Sequence, residues 1–133
     1  MTDRRVVGIR WLVVLLAVLA ACGSSPKEMG SLQGHVTIGP LAPVVQEGVP
    51  EPTPAAAVYA ARQIVVLDEN GKREMVRAQI DDHGDYRVEL EAGRYTVDIN
   101  RLGIDSAAGL PATVEITPGQ VTGLDVDIDT GIR

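Results

Sequence analysis

Aromatic residues and cysteine are scarce in this chain. Its 133 residues include one Trp, three Tyr, no Phe and a single Cys. The core of any folded domain must therefore be built from Val, Ile and Leu, and no disulfide can form within the chain to hold it together. A chain of this length has room for one domain with a modest core, which excludes a multidomain enzyme.

Glycine and proline, by contrast, are plentiful. The chain has fourteen Gly and eight Pro, and most of them separate short runs rich in Val, Ile, Thr and Tyr after residue 31. Such runs between turn-forming clusters are typical of an antiparallel sandwich. We therefore predict an all-β domain over residues 32–129, with a C-terminal tail at 130–133. Its seven strands are expected at 32–38, 62–67, 74–80, 86–90, 95–100, 112–117 and 121–128.

Apolar and polar residues alternate in the fourth, fifth and seventh of these strands. Alternation places one set of side chains in the core and the other in solvent. The Asn70-Gly71 pair predicts a tight hairpin between strands two and three, and residues 91–93 predict another between strands four and five. The register predicts that Val88, Val97 and Val126 are buried, and that Arg87, Asp98 and Asp127 are exposed.

The first 21 residues are typical of an export signal. Arg4, Arg5 and Arg10 form a basic head, and residues 11–19 are an apolar run that precedes small residues. This run is shorter than the roughly 20 residues that span a bilayer as a helix. We predict that residues 1–21 are removed, and that residues 22–31 form a flexible tether.

The end of the export signal is Leu19-Ala20-Ala21-Cys22. It resembles the lipobox of bacterial lipoproteins, and the resemblance implies cleavage before Cys22 and a diacylglycerol on its thiol. The mature chain would then be anchored by lipid to the extracytoplasmic face of a bacterial membrane. The alternatives are an ordinary secretory signal with an unmodified Cys22, or an uncleaved N-terminal helix.

The mature chain is acidic. Removing residues 1–21 takes away three of the 12 basic and one of the 18 acidic residues, which leaves nine against seventeen and a net charge of −8. Such a surface repels phosphate backbones and anionic head groups. We therefore expect no nucleic-acid partner, and attachment to the membrane only through the lipid.

Two turn patterns occur in the middle of the chain, Asp81-x-x-Gly84-x-Tyr86 and Leu90-x-x-Gly93-x-Tyr95-x-Val97. Gly34-x-Val36 precedes them, and Pro118-Gly119-Gln120 follows before a final alternating strand. Together they resemble the carboxypeptidase regulatory-like domains. The resemblance implies a seven-stranded, Greek-key-type β-sandwich of the transthyretin-like, or prealbumin-like, kind.

Residues 39–57 form the one long connection and hold five of the eight prolines. Long connections without structure of their own are often functional. One hypothesis is a binding loop, since prolines lower the entropy lost on docking; the other is a passive cover in which Val44, Val45 and Val49 fold over the sandwich. Similar domains carry Cys at the positions of Ala42 and Glu51, which implies that a disulfide is missing here. The candidate binding residues are Pro40, Pro43, Val44, Val45, Pro50, Pro52 and Pro54.

Residues that could carry catalysis are not arranged for it. His35 and His83 lack a second His or Cys at ligand spacing, and we find no nucleophile with a base and acid beside it. Hydrolases that resemble this fold and act on hydroxyisourate need a His and Arg constellation and a specific C-terminal segment. The chain ends Asp129-Thr130-Gly131-Ile132-Arg133 instead, so hydrolysis is the weakest of our hypotheses.

Two acidic clusters raise the question of calcium. Asp125, Asp127 and Asp129 lie on one face of a strand, where side chains about 7 Å apart cannot surround one ion, so they predict a solvated face. Asp81, Asp82 and Asp85 lie in one turn, which has a better shape for calcium, although Asp81 also fits a turn-forming residue. A calcium-stabilised acidic module is thus our alternative to the main prediction.

The sequence predicts a lipid-anchored, non-enzymatic interaction module of the cell envelope. It needs no cofactor beyond the diacylglycerol on Cys22. Its expected partners are the membrane, through that lipid, and an envelope protein. The residues do not identify a small-molecule ligand.

Overall fold

The computed structural model describes residues 27–44 and 46–132. The predicted signal segment 1–21, Cys22, Val45 and Arg133 lie outside the described residues. Nine strands and one short helix follow each other along this part of the chain. They are β1 (Met29–Gly39), α1 (Ala56–Ala60), β2 (Gln63–Leu67), β3 (Glu74–Gln79), β4 (Asp85–Glu91), β5 (Gly93–Ile99), β6 (Ser106–Ala107), β7 (Ala112–Ile116), β8 (Val121–Gly123) and β9 (Val126–Asp129).

The strands form two sheets that face each other, which confirms the all-β sandwich. One sheet has the order β4-β1-β9-β6, with β8 also paired to β1, and the other has the order β3-β2-β5-β7. The predicted last strand is divided into β8 and β9. Between them the Leu124 carbonyl accepts the hydroxyl of Tyr86, and a Cβ at Gly34 would collide with that carbonyl. Tyr86 and Gly34 thus hold the irregular residues between β8 and β9 against the sheet.

The pairing is mostly antiparallel, as predicted, but β1 pairs in parallel with both β8 and β9. The chain leaves β7 in the other sheet and turns at Pro118-Gly119, beside the start of β1, where Gly119 N–H donates to the Met29 carbonyl at 2.8 Å. Because β8 enters the first sheet at the end where β1 begins, the two strands run in the same direction.

The two predicted hairpins had different outcomes. Strands β2 and β3 pair antiparallel around Gly71, whose φ is +68°, so this hairpin is confirmed. The hairpin between β4 and β5 is wrong, because β4 pairs with β1 while β5 pairs with β2 and β7. Each strand has one apolar face, and two such faces can meet across the core as well as lie side by side. Residues 91–93 therefore carry the chain from one sheet to the other.

The core is mostly aliphatic, and the three tyrosines are buried in it. The predicted register is confirmed at four of six positions: Val97 and Val126 are buried, and Arg87 and Asp127 are exposed. Val88 was predicted to be buried and is half-buried. Asp98 is half-buried rather than exposed because Arg101 pairs with it at 3.0 Å. The largest fully buried side chains are Leu32, Val36, Ile64, Val66, Val97, Ile116 and Ile128.

Strand β1 defines the two ends of the sandwich. Its 11 residues span roughly 33 Å at about 3.3 Å per residue. At the Met29 end lie the turns at 68–73, 91–93 and 117–120. At the Gly39 end lie residues 40–55, α1, the connection 100–111 and the C-terminal tail, since Thr130 N–H donates to the Gly39 carbonyl and Ser106 pairs with Asp129.

Candidate functional site

The proline-rich connection projects its described valines into solvent. Val44 is 74% exposed and Val49 is 56% exposed. The passive-cover hypothesis is therefore wrong for these two residues. The core at this end is closed by other side chains: Tyr59 of α1 is buried, and Leu41 and Leu110 pack half-buried against the core.

The exposed valines line a shallow pocket of about 230 Å³. Val44, Pro50 and Pro52, among the predicted binding residues, belong to it. The other described candidates do not line it: Pro43 is exposed, Pro54 is half-buried, and the Pro40 carbonyl accepts the Thr130 hydroxyl at 2.6 Å. Val45 lies outside the described residues. The full lining is Ala42, Val44, Gln46, Val49, Pro50, Glu51 and Pro52, so the two positions where similar domains carry Cys share this pocket.

A turn within the connection gives the pocket its shape. Val49 N–H donates to the Gln46 carbonyl at 3.1 Å, and Gly48 has a φ of +85°, which favours glycine. The Glu51 carboxylate lies over Gly39, where a Cβ would come within 2.9 Å of it. These contacts connect the pocket to the end of β1. The apolar lining of the pocket remains open to solvent.

Further apolar side chains are exposed at the same end of the sandwich. Ile104 is 73% exposed, and it contacts Gly131 of the C-terminal tail, where a Cβ would clash with its side chain. Sequence reasoning missed these residues, because the connection 100–111 reads only as a loop of small residues. We call the set the apolar end surface: Val44, Val49, Leu102, Ile104 and Ile132.

A nearly buried ion pair supports the neighbouring connection. Arg62 donates from Nε to Asp105 at 2.9 Å and from a second nitrogen at 3.2 Å, and a third contact reaches the Val58 carbonyl at 3.0 Å. The side chains of Arg62 and Asp105 are 13% and 5% exposed. The pair therefore joins the connection that carries Ile104 to α1.

A larger polar cleft of about 610 Å³ lies where β1, β4 and the turn after β3 meet. His35 Nδ1 lies 2.8 Å from an Asp85 oxygen, and His35 N–H donates to Asp125 at 2.8 Å. Burial, with the charge of Asp125 beside it, raises the pKa of Tyr86 to about 12. Tyr86 thus keeps its proton at neutral pH, and its hydroxyl serves the Leu124 carbonyl rather than a substrate.

The three carboxylates predicted as a calcium site have separate partners. Asp81 accepts the N–H groups of Asp85 at 2.8 Å and His83 at 2.9 Å, which lower its pKa. Asp82 lies 3.6 Å from His83, and Asp85 contacts His35. Within residues 27–44 and 46–132, no group of three or more His, Cys, Asp or Glu is placed to hold a metal ion. The geometry therefore favours the turn-forming role of Asp81 and gives the calcium hypothesis no support.

Comparison with known proteins bears on the fold. No family model and no curated protein matches this chain. Among solved structures, the minor pilin of Streptococcus agalactiae is similar, with a TM-score of 0.52 and 12% identity over 77% of this chain and 45% of the pilin. A DUF3823 family protein from Parabacteroides merdae has a TM-score of 0.47 and 14% identity over 77% of this chain and 46% of its own. The major pilin subunit of Bacillus cereus has a TM-score of 0.48 and 16% identity over 76% and 29%.

The chain thus spans less than half the length of these structures. At 12% identity, the likeness to the minor pilin shows the β-sandwich fold alone. Membership of a carboxypeptidase regulatory-like family stays a prediction. In the part of the chain that the structure covers, we find no helix with the length and apolar character needed to cross a bilayer.

Proposed function

We propose that this chain is an exported, lipid-anchored and non-enzymatic β-sandwich that binds an envelope protein through its apolar end surface. The observation that supports it best is the exposure of Val44 and Val49 around an open pocket. Burying a valine stabilises a protein by about 1.5 to 3 kcal/mol, and this fold leaves that stabilisation unused at two neighbouring positions. A bound partner would supply the missing contact.

The start of β1 at Met29 supports this arrangement. Residues 22–28 connect the proposed lipid on Cys22 to the Met29 end, and a chain of this length reaches at most about 25 Å. The apolar end surface lies at the other end of β1, roughly 33 Å further along. An anchored domain would therefore present this surface away from the membrane.

The absence of an activity is also part of the proposal. In the polar cleft, His35, Asp85, Asp125 and Tyr86 bind one another or the backbone, and Tyr86 remains protonated. Such mutual pairing is typical of groups that stabilise a fold, whereas a catalytic nucleophile needs an adjacent base and a free approach for substrate.

The anchor is tested by intact-mass analysis of the protein from native membranes. We expect the mass of a chain that begins at Cys22 and carries acyl chains, and release of the Cys22→Ala variant from the membrane. An exported protein with an unmodified Cys22 would contradict the anchor but leave the binding surface untouched.

The surface is tested by replacing both valines with serine in the full chain, followed by chemical crosslinking in native membranes and quantitative mass spectrometry of the captured proteins. We expect Val44→Ser with Val49→Ser to lose a captured protein that the parent retains. Val121→Ser is the matched control, because Val121 is 54% exposed at the opposite end. Equal capture by all three proteins would overturn the proposed surface.

A further inference from the structure

Charge is distributed unevenly between the two ends of the sandwich. Residues 39–61 contain no Lys or Arg, while Glu47 and Glu51 are both exposed and Glu51 lines the pocket. The Met29 end, in contrast, exposes basic side chains among its acidic ones. The basic ones are Lys27, Lys72, Arg73 and Arg94, of which Lys27 pairs with Glu91 and Arg94 lies near Glu69 and Glu115.

Within residues 27–44 and 46–132, the two arginines near the apolar end surface do not neutralise it, because each is already paired. Arg62 binds Asp105 at 2.9 Å, and Arg101 binds Asp98 at 3.0 Å. The pocket between Val44 and Val49 therefore has an acidic rim.

We propose that the partner binds here through a basic and apolar segment: one aliphatic side chain enters the pocket, and flanking Lys or Arg side chains face Glu47 and Glu51. This inference rests on the proposed function and specifies the chemistry of its partner. Opposite charges at the rim steer the encounter and select among segments, while the pocket contributes apolar contact.

Other occupants fit the surface less well. An anionic membrane repels carboxylates and attracts basic residues, so it would favour the Met29 end. A second copy of this chain would bring its own acidic rim against the first and meet like-charge repulsion.

The test uses the full chain in detergent and three matched synthetic peptides. Each peptide has the same central Leu and Val residues, flanked by Lys and Arg, by Asp and Glu, or by Ser. Fluorescence anisotropy measures the dissociation constants at low and high salt. We expect the basic peptide to bind at least about tenfold more tightly than the Ser peptide, and to lose most of that advantage at high salt.

Charge reversal locates the effect. Glu47→Lys with Glu51→Lys should abolish the preference for the basic peptide. Glu69→Lys with Glu115→Lys is the control, since both residues are exposed and weakly paired with Arg94 at the Met29 end, at 3.9 and 4.0 Å. This control should keep the preference of the parent chain.

Four results would overturn the inference. Two concern the peptides: equal binding of the basic and acidic peptides, or no binding of any peptide at millimolar concentration. The other two are binding to anionic vesicles and dimerisation, if either is lost when Val49 is replaced by serine. The proposed function is tested separately: if the two serine substitutions still remove a captured membrane protein, the surface stands and only the partner chemistry is wrong.

Discussion

The two halves of the segment between β1 and β2 are both rich in small apolar residues, but they differ in proline content and in what they contact. Residues 40–53 expose Val44 and Val49, while residues 54–62 bury Tyr59 and pair Arg62 with Asp105. The second half has an Ala-rich turn of helix that aims one large ring at the core, and a cation with an acidic partner. The first half has short side chains between prolines that interrupt regular pairing. The packed half thus differs from the exposed half in having a large ring and a paired cation as anchors, and not in its content of apolar residues.

Removing the ring of Tyr59 should have the largest effect. Tyr59→Ala should lower the free energy of unfolding by about 4 kcal/mol, because it leaves a cavity beside Gly84, where a Cβ would lie 3.1 Å from the ring. Chemical denaturation of the full chain measures it. Tyr59→Phe is the control and should retain most of the stability. A loss below about 1 kcal/mol for the alanine variant would mean that the second half is not an anchor.

The ion pair should come next. Asp105→Ala should destabilise the fold by about 3 kcal/mol, since it leaves the Arg62 guanidinium nearly buried without its partner. Arg62→Met combined with Asp105→Leu removes both charges and should restore much of the loss. If the double variant were less stable than Asp105→Ala, packing rather than an unpaired charge would explain the effect.

The sequence was sufficient for most of the strands and their faces, because alternation as in Val97, Asp98 and Ile99 determines which side chain points inward. It missed the short strand β6, began β1 three residues late and took β8 and β9 as one strand. It was insufficient for the partners of those strands, since alternation does not say whether two apolar faces lie in one sheet or oppose each other. This is why the pairing of β4 with β5 was wrong.

The candidate site was predicted only in part. The prolines singled out the connection, and Val44, Pro50 and Pro52 do line a pocket. The apolar end surface could not be predicted in full. Ile104 belongs to it because the fold places its side chain against Gly131, and that contact is not visible in the sequence. The ion pair between residues 62 and 105 was also missed, since nothing in the surrounding sequence marks two residues so far apart as partners.

Acidification should weaken the turn that supports the packed half. The N–H groups of Asp85 and His83 lower the pKa of Asp81 in the folded state, so the unfolded chain binds this proton more readily. The stability from Asp81 is present above its ordinary pKa of 3.8 and is lost as pH falls through the lower, folded value. In urea denaturation between pH 5 and pH 2, Asp81→Asn should lose less stability than the parent. An identical pH profile would show that Asp81 does not contribute.

The exposed half should give the smallest change in stability. Val44→Ser with Val49→Ser should change the free energy of unfolding by no more than about 0.5 kcal/mol, since both side chains are mostly exposed. Thermal or chemical denaturation beside the Tyr59→Ala variant measures the contrast. A loss as large as that of Tyr59→Ala would remove the distinction between the two halves.

Site-specific photocrosslinking in native membranes tests the central claim most directly. A photoreactive amino acid is placed at position 49 in one protein and at position 121 in another, because Val49 and Val121 are 56% and 54% exposed but lie at opposite ends of the sandwich. We predict a discrete protein adduct from position 49, absent from position 121 and lost when Val44 is replaced by serine. Adducts of the same identity and yield from both positions, or none from position 49, would contradict a binding surface at the Gly39 end.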